Sequence, residues 1–386
     1  MDCFYLLFMA GIYVHIPFCA SRCSYCDFYS TLRLNEVGEA YIDALISEVQ
    51  LRHTELREEP VKTLYLGGGT PSQLPLPLLK RLLSGLRERI DLGSIEEFTI
   101  EANPDDVTPE WCAAIRSFGV NRVSMGVQSF ENKILLALGR RHTASQVVEA
   151  VSNLRNHGID NISIDLIYGL PGQTLMSWSD TVVLAIGLKP RHISAYGLTY
   201  ETGTRLWRQR ECGEVIEVPE RDCLEMYGTL VDQLNDAGYE HYEISNFALP
   251  GYRSRHNSSY WDGTPYLGLG AAAHSFDGQV RRLNPPDLNR YIDALLSGKT
   301  VFEEERLTRW ERYDETVMLG LRTSAGVDAG DLRLTFGEDV WRHFVKEAQP
   351  HLKAGNLRLI DDGRYVLTKE GIMLSDAVIR DLMWEM

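Results

Sequence analysis

The chain has 386 residues, room for two or three domains or for one large barrel with an appendage. Hydrophobic residues make up 44% and charged residues 24%, an ordinary globular balance that excludes a disordered or collagen-like chain. The net charge of −15 argues against a nucleic-acid partner, because a phosphate backbone calls for a basic excess. No window approaches the ~18 uncharged apolar residues of a membrane span. Residues 1–10 are apolar but short and carry no basic leader, so a signal peptide is not expected and a cytoplasmic location is. Seven cysteines occur: Cys3, Cys19, Cys23, Cys26, Cys112, Cys212 and Cys223. In a reducing cytosol that odd, clustered set reads as metal ligands rather than a disulfide frame.

Along residues 11–200, apolar strand-like runs alternate with amphipathic helical ones. The predicted strands are Ile12–Ile16, Thr63–Leu66, Glu97–Glu101, Arg122–Val127, Ile162–Tyr168 and His192–Leu198. The predicted helices are Asn35–Arg57, Pro75–Ile90, Pro109–Phe118, Ser145–His157 and Thr174–Leu188. Six β–α alternations imply a parallel sheet with helices outside, since a parallel return needs a crossover. Polar residues and glycines at several strand ends lie where such folds place their chemistry. Residues 201–300 are mixed, with a helix near Glu220–Ala237, a strand near Glu240–Ser245 and a glycine-rich run Tyr266–Ser275. Beyond about Arg306 the pattern turns helical. Leu357–Ile360 and Tyr365–Thr368 flank a turn, Asp361–Arg364, that reads as a hairpin, and a last helix follows Lys369. Helices followed by a hairpin suggest a winged-helix-like module. In residues 305–386 acidic residues outnumber basic ones 15 to 12, which disfavours DNA reading there.

Cys19-Ala-Ser-Arg-Cys23-Ser-Tyr-Cys26, directly after the first strand, is the most informative segment. Three thiolates on one tight loop can hold three corners of a cubane iron–sulfur cluster and leave one iron open to a small molecule. A zinc site is the alternative; it wants four closed ligands, and His15 is available as a fourth.

C-x3-C-x2-C with an aromatic residue, Tyr25, before the third cysteine resembles the radical S-adenosylmethionine (SAM) superfamily. The resemblance implies a [4Fe–4S] cluster on Cys19, Cys23 and Cys26, SAM chelated by the open iron, and a partial (β/α)6 barrel. Further segments fit it: Leu66-Gly-Gly-Gly-Thr-Pro-Ser72 after strand two, Glu101 ending strand three, Gln128 ending strand four, Arg140 beyond it, and Asp165 in strand five. A buried polar group without a partner costs about 1–3 kcal/mol, so such groups need a polar cofactor or each other, as in an ion pair of Glu101 with Arg140. These segments closely resemble the oxygen-independent coproporphyrinogen III oxidase-like family, over nearly the whole chain. That resemblance implies SAM contacts from Tyr13, Gly68, Gly69, Thr70, Glu101, Gln128, Arg140 and Asp165. It divides the chain into a radical SAM partial barrel (1–200), a barrel completion with a heme-binding segment (201–304) and a C-terminal helical, winged-helix-like domain (305–386).

Two departures separate the chain from the true dehydrogenase of that family. Phe28 stands where the dehydrogenase has a fourth cysteine, and strand one begins near residue 11, without the dehydrogenase's long N-terminal extension. Both look like the family's heme-chaperone branch. So does His256-Asn-Ser-Ser-Tyr-Trp261, which matches that branch's H-N-x-x-Y-W motif. Imidazole is a common axial ligand of heme iron, and Tyr260 and Trp261 offer flat surface to a macrocycle. His274, after the small residues Gly270–Ala273, is a second candidate ligand. The resemblance thus implies a protein that binds heme and passes it to acceptor proteins of respiration, with a homodimer as one arrangement it allows. The alternative is a radical SAM decarboxylase of a porphyrinogen, and whether SAM is cleaved is left open. His15, His192 and His241 are expected to be structural, and Cys112, Cys212 and Cys223 to be core or surface thiols.

Overall fold

The computed structural model describes residues 10–56, 60–360 and 363–384; the apolar start with Cys3, Arg57 at the end of the first predicted helix, and Asp361-Asp362 of the predicted hairpin turn lie outside the described residues. Six strands run parallel in sequence order: β1 (Ala10–Ile16), β2 (Val61–Gly68), β3 (Glu97–Ala102), β4 (Arg122–Gln128), β5 (Asn161–Tyr168) and β6 (His192–Gly197). The connecting helices are Leu34–Arg52, Leu76–Arg87, Pro109–Phe118, Ala144–Asn156 and Leu175–Gly187. Their starts are chemically marked: Thr108 and Thr174 accept from backbone N–H groups of the first turn, and Thr143 forms a capping box with Gln146.

The sheet is longer than its parallel centre. On the β6 side it gains an antiparallel pair, β7 (Glu240–Glu243) and β8 (Asn246–Ala248), which divides the single predicted strand 240–245 at a turn. On the β1 side it gains β9 (Tyr266–Leu269), parallel to β1, then antiparallel β10 (His274–Phe276), β11 (Val280–Leu283) and β12 (Glu303–Arg306). The glycine-rich run is therefore β9 and the beginning of β10. β12 forms one edge of the twelve-stranded sheet, and all four of its residues are exposed.

One hydrophobic core lies between the sheet and its helices. Val14, Leu64, Ile100, Val123 and Ile164 meet Leu45, Leu83, Ile115, Leu154 and Trp178 there, all essentially without exposure. The added strands are tied to it by a buried ion pair. Arg52 Nη1 donates to Glu48 at 2.7 Å, and Glu48 also accepts from Gly270 N–H, Asn284 Nδ2 and Tyr291 Oη at 2.6–2.8 Å. An isolated buried carboxylate would be costly; four donors make this one a clamp on the β9–β10 turn.

Residues 309–382 gather around a second core of Tyr313, Val317, Leu332, Phe344 and Leu382. Its helices are Arg309–Leu321, Ala329–Phe336, Glu338–Ala354, Lys369–Met373 and Ser375–Leu382. The hairpin strands are β14 (Leu357–Ile360) and β15 (Arg364–Leu367), and β13 (Val327–Asp328) joins them. None of the described helices is long and apolar enough to cross a membrane.

Candidate functional site

In a strand alternate side chains share a face, and here one face of β1–β6 is polar and turned inward. The register aligns Tyr13 with Tyr65, Glu101 with Ser124, and Gly126 with Asp165. At the C-terminal ends of the strands all of these but Tyr13 line a cavity of about 510 Å³. Cys19, Cys23, Cys26, Gly68, Gly69, Thr70, Glu101, Gln128, Arg140 and Asp165 all border it. Of the expected SAM contacts only Tyr13 does not. Its hydroxyl lies 3.1 Å from His15 Nδ1, and its ring rests beside Tyr65, so it stands behind the cavity wall.

The cysteine loop is held by backbone bonds: Cys19 N–H to Thr31 O at 3.0 Å, Ser24 N–H to Leu138 O at 2.9 Å, and Leu206 N–H to Ser24 O at 2.7 Å. Two thiols already have donors facing them. Thr70 Oγ1 lies 3.3 Å from Cys19 Sγ, and Arg140 Nη1 lies 3.3 Å from Cys23 Sγ. Among the described residues no three His, Cys, Asp or Glu side chains converge as the ligands of a single metal ion would. Zinc draws its ligands onto one point, whereas a cubane takes each thiolate on a different iron. His15 is not available as a fourth ligand; its ring bonds Tyr13 and the Tyr29 carbonyl. The donor set fits a cluster held by three cysteines.

Gly68 and Gly69 are demanded by the protein itself before any ligand. Gly68 has φ +112°, and a Cβ there would come within 2.5 Å of the His15 ring. A Cβ on Gly69 would meet the Pro17 backbone at 2.6 Å. At the end of β4 a bulge sets Gln128 at φ +67°, a conformation side chains rarely adopt. That twist lays the Gln128 amide and the Arg140 guanidinium against Gly126, where a Cβ would meet Gln128 Nε2 at 2.9 Å and Arg140 Nη2 at 3.2 Å.

Glu101 and Arg140 do not pair. Glu101 accepts from Tyr65 Oη at 2.8 Å and from Gly68 N–H at 3.0 Å. Arg140 turns the other way, to Asn103 Oδ1 at 2.6 Å and the Gly126 carbonyl at 2.5 Å, and its Nε is buried without a partner. Asp165 takes long bonds from Ser124 Oγ, 3.3 Å to each oxygen, and the Ser194 hydroxyl also bonds it. Burial pushes the Glu101 carboxyl up to about 7, against the pull of the Tyr65 hydroxyl. Burial likewise lifts Asp165 to about 6, against the pull of Arg122. The cavity thus offers two buried carboxyls with raised pKa values and an under-satisfied guanidinium to one ligand. Sequence reading missed Tyr65, Asn103, Ser124 and Asn257, which share the wall. A period-two count back from Gln128 and Gly67 points to Ser124 and Tyr65.

The motif 256–261 forms a short helix, Arg255–Trp261. Asn257 looks into the cysteine-lined cavity, while Tyr260 and Trp261 line a second cavity of about 630 Å³ between the sheet extension and the C-terminal helices. His256 reaches neither. It is fully buried, with Nδ1 2.8 Å from Thr63 Oγ1 and Nε2 2.8 Å from Tyr260 Oη. Burial drops its pKa to about 3, so it stays neutral. As placed, the ring presents no free nitrogen to a ligand; it braces Tyr260.

Comparison with known proteins decides the family. The radical SAM superfamily model matches residues 13–185, and the HemN C-terminal domain model matches residues 307–374. Heme chaperone HemW of Lactococcus lactis is 41% identical over 82% of this chain and 82% of its own. Heme chaperone HemW of Bacillus subtilis is 33% identical over 98% of this chain and 100% of its own. The chain belongs to the HemW family. Its HemW fold is also that of coproporphyrinogen III oxidase (HemN) from Escherichia coli, described as a radical SAM enzyme. The TM-score is 0.84 at 24% identity, covering 97% of this chain and 90% of that one. The radical SAM membership of this HemW-family chain implies a [4Fe–4S] cluster and SAM, which is the chemistry its cysteine-lined cavity fits.

Proposed function

We propose that this protein is a heme chaperone: it binds heme and hands it to acceptor proteins, while Cys19, Cys23 and Cys26 hold a [4Fe–4S] cluster whose open iron takes SAM. The observation that carries the reading is end-to-end likeness to proteins named heme chaperone HemW, 33% identical over 98% of this chain in the Bacillus subtilis case.

The cavity's residues support the cofactor half. SAM is a zwitterion with a sulfonium, an amine and a carboxylate. Glu101 and Asp165 suit its cationic groups, Arg140 and Gln128 its anionic and carbonyl oxygens, and the Gly68-Gly69-Thr70 backbone its amino acid end. Tyr13 acts through His15 and Tyr65 rather than by touching the ligand. When bound, the cluster supplies an electron and a coordination site; the chain binds, orients and shields. Tyr260 and Trp261 support the heme half as aromatic surface bordering the second cavity, with His256 fixing Tyr260. The chain divides in this reading near residues 200 and 304, with the second cavity drawing its lining from both sides of residue 304.

The second reading, an oxygen-independent coproporphyrinogen III oxidase, draws on the fold likeness at TM-score 0.84. Against it stands Phe28, 69% exposed at the rim of the cysteine cavity, in the place of that enzyme's fourth cysteine. Anaerobic reconstitution followed by parallel assays tests both. Heme binding without decarboxylation of coproporphyrinogen III is expected. Robust decarboxylase turnover would overturn the chaperone reading.

A further inference from the structure

The chain has ten histidines, all among the described residues. Nine of them spend a ring nitrogen on a hydrogen bond or ion pair within the chain. Among the described residues His274 alone makes neither, and the residue is exposed to solvent over part of its surface. It begins β10, two residues from Phe276, so the two side chains share a face of the sheet. Phe276 pairs with Arg281 across β11 and with Tyr266 across β9, which puts all four on that face. Tyr266, Phe276 and Arg281 form the floor of the cavity whose wall is Tyr260 and Trp261.

Opposite this floor, helix Arg309–Leu321 turns Arg312, Glu315, Thr316 and Leu319 toward the same cavity, a spacing of three, four and seven residues. Glu315 pairs with Arg281 at 2.6 Å, whereas Arg312 is exposed and makes no ion pair among the described residues. The site therefore has flat aromatic walls and a cation without an ion pair among the described residues, and two residues along β10 from its Phe276 stands an imidazole with no hydrogen-bond partner among those residues.

We propose that His274, not His256, is the iron ligand of heme, which lies against the β9–β11 face with Tyr266 and Phe276 beneath it and Arg312 meeting a carboxylate of its edge. This rests on the heme-binding reading above. An imidazole must be neutral to bind iron, and partial burial of the ring together with the Arg281 charge holds His274 below the usual imidazole range. His256 cannot serve without giving up both Thr63 and Tyr260, and its role here is positioning.

The test titrates hemin, and separately metal-free protoporphyrin IX, into the cluster-loaded full-length protein, read as difference spectra in the Soret region. Wild type is expected to give an imidazole-ligated heme spectrum. His274→Ala should lose that spectrum and regain it on adding free imidazole, while protoporphyrin IX binds as before. Arg312→Glu should weaken both ligands, since it acts on the macrocycle's edge. His256→Gln, checked for fold by circular dichroism, should keep the iron spectrum. A His274→Ala protein with wild-type spectrum and affinity overturns the ligand assignment and leaves heme binding standing. Failure of wild type to bind hemin at all removes the heme reading itself.

Discussion

Arg140 reaches across the cavity mouth to Cys23, its Nη1 3.3 Å from the thiol sulfur. The same guanidinium is fixed from behind by Asn103 and the Gly126 carbonyl, so its hydrogen bond is held on the Cys23 sulfur while its charge also reaches Cys19. Hydrogen bonds and positive charge at a ligating sulfur stabilise the reduced cluster. Arg140→Met should therefore lower the cluster's reduction potential, measured by an EPR-monitored titration. An unchanged potential with iron content intact would mean the contact is lost once the cluster is bound.

The cluster itself gives a second prediction. Anaerobic reconstitution should load about four irons and four sulfides per chain. Replacing Cys19, Cys23 or Cys26 by Ala should abolish loading. Cys112, buried in the core away from the loop, should be replaceable without effect on iron content. Stoichiometric zinc and no cluster uptake in wild type would contradict the assignment.

SAM affinity should respond to the two lifted carboxyls. Glu101→Ala or Asp165→Ala removes a polar contact worth about 1–3 kcal/mol while leaving the cysteines untouched. Equilibrium binding to the reconstituted protein should weaken by that amount, with the iron count unchanged. Equal affinity in both variants would assign the carboxylates to the fold alone.

Those carboxyls also set a pH dependence. With folded values of about 7 for Glu101 and about 6 for Asp165, the native state keeps protons that the unfolded chain, titrating near the ordinary carboxylate range, has released. Stability from these groups is present at low pH and is lost as pH rises through 6 and 7. The Tm of cluster-free protein should fall between about pH 5 and about pH 8, and Glu101→Gln should flatten that slope. A slope identical in the variant would locate the titration elsewhere.

Gly126→Ala tests the shape of the site. Its Cβ would push on Gln128 Nε2 and Arg140 Nη2, the free ends of flexible side chains. Thermal stability should change little, while SAM binding weakens because both groups move. A large loss of stability would show that the backbone, not the side chains, yields.

The six parallel strands were legible because each is a short apolar run followed by an amphipathic helix, and the helix Pro109–Phe118 even keeps its predicted bounds. The cysteine loop and the polar strand ends were legible from spacing. Strands β9–β12 were not. β12 reads Glu-Glu-Glu-Arg, with no alternation to mark it, and β9 pairs with β1 across some 250 residues of chain. His256 misled for a related reason. A histidine in a polar motif reads as available, yet this barrel's interior is itself polar, and Thr63 and Tyr260 consume both nitrogens.

β12 has a consequence for assembly. An edge strand offers unpaired backbone groups to any passing strand, and a twelve-stranded sheet ending bare would be a template for polymerisation. Here the last rung is four exposed charges, three of them glutamates, on a chain of net charge −15. A second copy adding antiparallel at that edge in full register would set Glu304 against Glu305 twice, which is destabilising for directly opposed pairs, and Glu303 against Arg306. The charge at β12 thus works against sheet-to-sheet growth at that edge.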